Sequence, residues 1–373
     1  MTRVDLEAFR WLLTDAGQAL LARASQVYDE QGGDPVRTAT VLRRGDVPAA
    51  HAAAALTQVE LRRRAVGKFG ADAARMYFTP DGVEQSTRAS VAAYRAMRFT
   101  GGSGECSGRG VRQLADLCCG IGGDAIALAR AGVHVMAVDR DPLTCDVVRA
   151  NAAALGLADR MDVRCQEVED ADITGYDAVF IDPARRGGKG RIFDPEAYSP
   201  PLSWAVEVAR RVSHAAVKVA PGIPHEAVPD DAGAEWISDS GDVKEAVLWF
   251  GEGAESSPQS SLVRATLLPG PHPLQSRGLP DPPAGPVGRY LYEPDGAVVR
   301  AHLVAEVAEE LNGHLVDPTI AYVTGDEAHF TPYATGYEIT DVLPFNLKRL
   351  RALLRERGVG VATIKKRGSA VEP

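Results

Sequence analysis

The stretch DLCCGIGGD, residues 116–124, limits what this chain can fold into more than any other. An apolar run that suits a strand, Val111 to Leu117, precedes it, and a run that suits a helix, Ala125 to Ala131, follows. Three glycines, Gly120, Gly122 and Gly123, stand at the join, where the backbone needs positive φ angles and a ligand needs room to approach the main chain. Strand, glycine turn and helix in that order make a nucleotide-binding turn.

The residues after the turn extend the same pattern. Val133 to Val138 reads as a strand ending at Asp139, Asp141 caps a helix that starts at Pro142 and ends near Gly156, and Met161 to Cys165 is a third strand. A fourth, Asp177 to Ile181, ends at Asp182-Pro183. A helix over Leu202 to Arg211 leads to a fifth, His214 to Val219. Strand and helix alternating in this way predict a parallel sheet covered on both faces. Glu235 to Ser238 and Val243 to Phe250 lie too close in sequence for a crossover, so they form an antiparallel hairpin.

Upstream the chain is nearly all helical. Phe9, Leu13, Ala16, Leu20, Ala24 and Val27 define one helix ending near Gly32 and Gly33, and a second begins at Pro48. The turn Thr79-Pro80-Asp81-Gly82 leads into a helix whose polar start, Gln85 to Arg88, is well placed to touch a ligand held by the glycine turn. A Gly/Ser-rich hinge, Gly101 to Gly110, and a Pro/Gly-rich stretch, residues 269–288, separate three predicted domains: an N-terminal helical domain (1–100), a nucleotide-binding α/β domain (111–268) and a small α+β domain (289–373). The last contains a strand at Tyr290 to Tyr292, a helix over Val298 to Leu311, strands near Ile320 to Val323 and Gly336 to Val342, a basic helix from Phe345 to Arg357 and a final strand, Gly360 to Lys365.

Composition restricts the function classes. With 45% hydrophobic and 24% charged residues the chain is of the ordinary globular kind. It has no apolar run of roughly 20 residues to span a bilayer, and its acidic N-terminus does not read as a signal peptide, so a cytoplasmic location is expected. Five cysteines without CxxC or Cys/His spacing argue against zinc or a disulfide framework. A net charge of −9 argues against nucleic acid binding over the whole surface. Against that balance, Lys348, Arg349, Arg351, Arg355, Arg357, Lys365, Lys366 and Arg367 form a local basic segment near the C-terminus.

GIGGDA fits the loose GxGxxA fingerprint, and Asp139 lies near the distance at which an acid binds an adenosine ribose. Neither feature separates NAD from S-adenosylmethionine. Two features tip the balance toward S-adenosylmethionine, and the first is Asp116, a carboxylate before the glycines that would repel a pyrophosphate by like charge. Asp182-Pro183 falls at the carboxyl edge of the sheet, where open sheets bind ligands.

The segments DLCCGIGGD, AVDRD and FIDPARR, with FTPDGVEQSTR before them and YEPDGAVVRAHLV and GVATIKKRG near the end, resemble bacterial class I S-adenosylmethionine-dependent methyltransferases that carry a C-terminal THUMP-like domain. The resemblance covers nearly the whole chain and implies a Rossmann-like fold, no metal, and S-adenosylmethionine as cofactor. It implies cofactor contacts at Asp116, Cys118, Gly120, Gly122, Asp124, Asp139, Arg140, Glu167, Asp182 and Thr87, with Asp139 on the ribose and Glu167 near the adenine. It places Asp182, Pro183 and Arg185 at the catalytic position. Base-amine methyltransferases carry Asp-Pro-Pro-Tyr there, and this chain departs from them at Ala184 and Arg185. Phe193, Tyr198 or Trp204 could supply a stacking ring instead.

The leading expectation is a methyltransferase acting on rRNA or tRNA, docked through Lys348, Arg351, Arg355, Lys365, Lys366 and Arg367. The alternatives are a methyltransferase of a small molecule or protein, a non-catalytic RNA-binding protein, and, last, a dehydrogenase.

Overall fold

In the computed structural model of the chain, residues 5–44, 47–101, 110–184, 186–187, 190–191, 194–251 and 262–366 are described. The chain divides into two compact units, Met1–Ala234 with Glu245–Leu262, and Glu235–Lys244 with Val263–Pro373.

The first unit opens with helices α1 (Leu6–Leu12), α2 (Asp15–Glu30), α3 (Pro35–Arg43) and α4 (Ala49–Phe69). The single helix expected from Phe9 to Gly33 is broken at Leu13. Thr14 caps α2 by accepting from the Gly17 amide, and a Cβ on Gly17 would lie 2.4 Å from the Trp11 carbonyl oxygen, so the chain turns where only glycine fits. Pro48 precedes α4 as its N-cap residue. Next comes an irregular segment, Met76 to Thr79, then α5 (Pro80–Gln85) and α6 (Ala89–Thr100).

Among the described residues no strand pairs with Tyr77 and Phe78, yet both are buried, so their backbone polar groups need other partners. Two side-chain amides supply them. Gln58 accepts from the Phe78 amide at 3.0 Å and donates to its carbonyl at 2.7 Å. Asn151 accepts from the Tyr77 amide at 2.6 Å and donates to the carbonyls of Tyr77 and Ile121, each at 3.1 Å.

The sheet then follows as β1 (Gln113–Leu117), α7 (Gly123–Arg130), β2 (His134–Asp139), α8 (Pro142–Leu155), β3 (Met161–Cys165) and β4 (Ala178–Ile181). A two-residue ribbon, β5 (Arg186–Gly187) with β6 (Gly190–Arg191), precedes α9 (Leu202–Ala209), β7 (His214–Val219), β8 (Gly233–Asp239) and β9 (Asp242–Gly251). In the first unit β3, β2, β1, β4 and β7 run parallel in that order, and β9 closes the row antiparallel to β7. β1, β4 and β7 are almost wholly buried, which is why they read as apolar runs rather than alternating ones. β8 and β9 join through Ser240 and Gly241, both at positive φ, a tight hairpin turn.

Register fixes the functional edge. Leu117 pairs with Val138 on one side and Ile181 on the other, so the glycine turn, Asp139 and Asp182 all emerge at the carboxyl ends of neighbouring strands.

In the second unit, β10 (Val263–Leu268) pairs antiparallel with β11 (His272–Gln275), so the turn and the second strand of this hairpin fall in the stretch expected to be linker. β12 (Tyr290–Pro294), α10 (Gly296–Arg300), α11 (Val304–Glu310), β13 (His314–Asp317), β14 (Ile320–Gly325), β15 (Ala334–Glu338) and α12 (Leu347–Glu356) complete it, with strand order β13-β14-β12-β15. The helix expected over Val298 to Leu311 is two helices, interrupted at His302 with φ 57°. The strand expected at Gly360 to Lys365 does not form. Lys365 is instead held by Glu293 of β12 and the Tyr337 hydroxyl of β15.

Candidate active site

The turn after β1 alternates handedness. Cys118, Gly120 and Gly122 have φ of 65°, 54° and 84°, and Gly122 is the N-cap residue of α7. A Cβ on Gly122 would press on Val148 at 3.2 Å, whereas nothing lies within 4 Å of one on Gly120, so the turn is backed by α8 and open at Gly120. Asp139 organises this turn. One of its oxygens accepts from the Gly120 amide at 3.1 Å and the other from the Asp141 amide at 2.9 Å. Burial raises its pKa above the usual carboxylate range, and the two backbone hydrogen bonds oppose that rise without cancelling it. Burial, reinforced by Asp139, Asp182 and Asp116, also pushes the Cys118 thiol well up, which disfavours the nucleophilic thiolate.

A buried charge cluster lies beneath the turn. Asp116 is 1% exposed, and neither of its oxygens has a hydrogen-bond partner among the described residues. Burial, with the carboxyls of Asp124 and Asp182 facing it, raises its pKa well above the usual range. Asp124, in the first turn of α7, has the opposite fate. Burial pushes it up, but Arg95, Lys218 and a hydrogen bond from Thr87 outweigh burial and lower it. Arg95 of α6 is fully buried, bonds Asp124 at 2.9 Å and Glu245 at 2.6 Å, and lies over the Phe180 ring at 4.4 Å. Lys218 of β7 donates to Asp182 at 2.7 Å and to Thr87 at 2.9 Å, with Glu245 at 3.8 Å.

The structure therefore brings Asp116, Asp124, Asp182 and Thr87 into one cluster and puts Cys118, Gly120, Gly122 and Asp139 in the turn above it. Arg140 and Glu167 form an exposed pair at 3.7 Å, past the ends of β2 and β3. Pro183 is buried after β4, while Arg185 and Phe193 lie outside the described residues. Tyr198 is buried and Trp204 half-buried. Arg95, Lys218 and Glu245 were not singled out from the sequence. Lys218 had one visible signal, a lysine within the otherwise apolar strand HAAVKV.

In the second unit Lys348, Arg351 and Arg355 are exposed on α12, Lys366 is half-buried, and Arg367 lies outside the described residues. Lys365 is engaged by Glu293 and Tyr337.

The carboxyls of Asp116, Asp124, Asp182 and Glu245 outnumber the cations Arg95 and Lys218. A cluster short of positive charge, with an orphaned carboxyl at its centre, fits a ligand bearing its own cations. S-adenosylmethionine has two, an ammonium and a sulfonium.

Comparison with known proteins agrees. The family described as RNA cap guanine-N2 methyltransferase matches residues 111–201, a THUMP domain-like family matches 334–373, and a domain of unknown function matches 5–65. A short match, 31% identical over 24% of this chain and 20% of the other, links the chain to an uncharacterized RNA methyltransferase of Parasynechococcus marenigrum. A crystal structure assigned as a methyltransferase from Porphyromonas gingivalis W83 superposes with a TM-score of 0.71 over 91% of this chain and 86% of that one, at 22% identity, and so shares the fold. An uncharacterized S-adenosylmethionine-dependent methyltransferase of Mycobacterium tuberculosis is 35% identical over 84% of each chain. With that extent of identity, and with S-adenosylmethionine as its cofactor, this chain belongs to the family of S-adenosylmethionine-dependent methyltransferases.

Proposed function

We propose that the enzyme methylates RNA in the cytoplasm, with the first unit carrying the chemistry and the second docking the substrate. The observation that carries the RNA reading is α12, within the segment that matches a THUMP-like domain. Lys348, Arg351 and Arg355 recur at helical spacing along it, all exposed, on a helix with no buried residue. Such a stripe suits a run of phosphates, and it is concentrated in a chain whose net charge is −9. The likeness of residues 111–201 to an RNA methyltransferase family supports the same reading. No described helix is long and apolar enough to cross a membrane.

In this reading Asp116 receives the cofactor's ammonium and Asp139 its ribose, while Thr87 and Asp124 fix the floor between α6 and α7. The bound cofactor supplies an activated methyl group. Asp182, at the end of β4 and the most open carboxyl of the buried cluster, orients the acceptor, so that the chain's main contribution is alignment.

Two measurements test the reading. RNA from a strain lacking the gene should lack one methylated nucleoside by mass spectrometry. Replacing Lys348, Arg351 and Arg355 together by glutamate should reduce the log–log salt slope of RNA binding by about two, at ~0.7 per phosphate contact with a single strand. A full complement of methylated nucleosides, together with no salt-dependent RNA binding, would overturn it.

A further inference from the structure

Lys218 is unusual on physical grounds. Its side chain is 4% exposed on a strand whose residues are all buried, and a buried ammonium is costly unless it is fully paired. Its close partners among the described residues are Asp182 at 2.7 Å, the Thr87 hydroxyl at 2.9 Å and Glu245 at 3.8 Å. Only one Asp182 oxygen is taken by it. The other has no hydrogen bond among the described residues, and the Asp182 side chain, 24% exposed, is the most accessible carboxyl of the buried cluster.

We propose that Lys218 is the positioning residue of the acceptor site, fixing one oxygen of Asp182 so that the other accepts a hydrogen bond from the N–H of a nitrogen acceptor. This deepens the proposed RNA methylation and rests on it.

Two further observations favour this role. Lys218 is the cation that contacts Asp182 among the described residues, at 2.7 Å, on the side where the buried carboxyl of Asp116 also acts on Asp182. Lys218 also reaches Thr87, whose hydroxyl bonds Asp124, so the same ammonium ties the acceptor carboxylate to the start of α6 and to the first turn of α7.

The acceptor class follows from the pairing. A carboxylate neutralised by a lysine is a weak base, unsuited to stripping a hydroxyl or carbon acid before reaction but well suited to aiming an N–H. The nitrogen lone pair forms the new N–C bond while the S–CH₃ bonding pair passes to sulfur. The proton shed by the nitrogen leaves to Asp182 and on to water, returning the nitrogen to neutrality and Asp182 to its starting state.

The full chain is tested as Lys218→Met, Lys218→Gln and Lys218→Arg. Carbon-13 NMR titration of the Asp182 carboxyl, assigned by its loss in Asp182→Asn, needs no substrate. The Met and Gln variants should move that titration upward by about 1–3 units, and Arg should leave it close to wild type. With tritiated S-adenosylmethionine and RNA from the deletion strain, Met and Gln should lower kcat by about 10²-fold or more with little change in the cofactor KM, and Arg should restore most of the loss. The residual kcat of Met and Gln should have a pH profile different from that of wild type. An unmoved Asp182 titration, an unchanged pH profile in a folded variant, or an O- or C-methylated product would each overturn the proposal. If wild type transfers no methyl group to RNA, the RNA reading fails, and the titration still judges Lys218.

Discussion

Arg95→Met removes the central cation of the buried cluster while keeping the length of the side chain. Arg95 is fully buried between Asp124 at 2.9 Å and Glu245 at 2.6 Å, and burial works against its charge until those two carboxylates outweigh it. Methionine leaves both acids inside the protein, with Lys218 3.8 Å from Glu245 as the remaining cation of the cluster. Breaking a buried pair from one side costs about 3–5 kcal/mol, and here one residue serves two partners, so the upper part of that range is expected. For a unit of this size each kcal/mol shifts the midpoint by about 2–4 °C, giving a fall of roughly 6–20 °C. The loss should also depend on pH. In wild type Asp124 is held below the usual carboxylate range, a stabilisation present at neutral pH and lost as pH falls through its folded value. In the variant its buried carboxyl loses its main cation, so its penalty is full at neutral pH and fades on acidification. Between pH 7.5 and pH 5 the second effect acts and narrows the gap, and the first adds to it only below the ordinary carboxylate range. Urea unfolding at pH 7.5 and pH 5, followed by the fluorescence of buried Trp249, measures it. A gap below about 1 kcal/mol, or one equal at the two pH values, would refute the view that Arg95 neutralises these acids. Adding Glu245→Gln should recover part of the loss.

Two further substitutions probe the cofactor side. Asp116→Asn should stabilise the ligand-free protein at neutral pH, because the raised Asp116 carboxyl is a burden that grows as pH climbs above the ordinary carboxylate range, and the gain should fade toward pH 4. The same change should weaken S-adenosylmethionine binding by about 10- to 100-fold in calorimetry, the loss of a hydrogen bond between charged groups. Gly82→Ala would put a Cβ 2.3 Å from the Ile121 side chain and 2.7 Å from the Thr79 hydroxyl. About 1–3 kcal/mol of stability should be lost in urea unfolding, with cofactor affinity falling as Ile121 is pushed within the turn, and unchanged affinity would show that the turn is insulated from α5.

Much of the sheet was legible because parallel strands buried on both faces print their burial directly as apolar runs, and β7 was expected at its observed limits, His214–Val219. The places of the glycine turn, Asp139 and Asp182 at one edge of the sheet were legible because each follows directly on an apolar strand run. The charge cluster was not. Arg95 sits in a helix with an ordinary amphipathic pattern, and Glu245 is one acid in a strand. Their pairing depends on how α6 and α7 meet over the sheet, which no short-range pattern encodes. The same limit applied at the C-terminus, where Lys365 read as one more free cation of a basic segment until Glu293, 72 residues away, was seen to hold it. The break between α1 and α2 escaped for the converse reason. Gly17 was visible, but its contact with the Trp11 carbonyl arises only once the chain has turned.

The Gln58 and Asn151 amides bear on modularity. By standing in for neighbouring strands at Tyr77 and Phe78, and with Asn151 also holding the Ile121 carbonyl, they make the helices before residue 100 part of the cofactor turn's own hydrogen bonding. A methyltransferase fragment cut to begin at residue 111 would inherit an Asn151 with two of its bonds undone, an Asp124 without Arg95 or Thr87, and a bare patch where Gly82 had leaned on Ile121. The unit of inheritance, and of any domain graft, is therefore the helical segment and the sheet together.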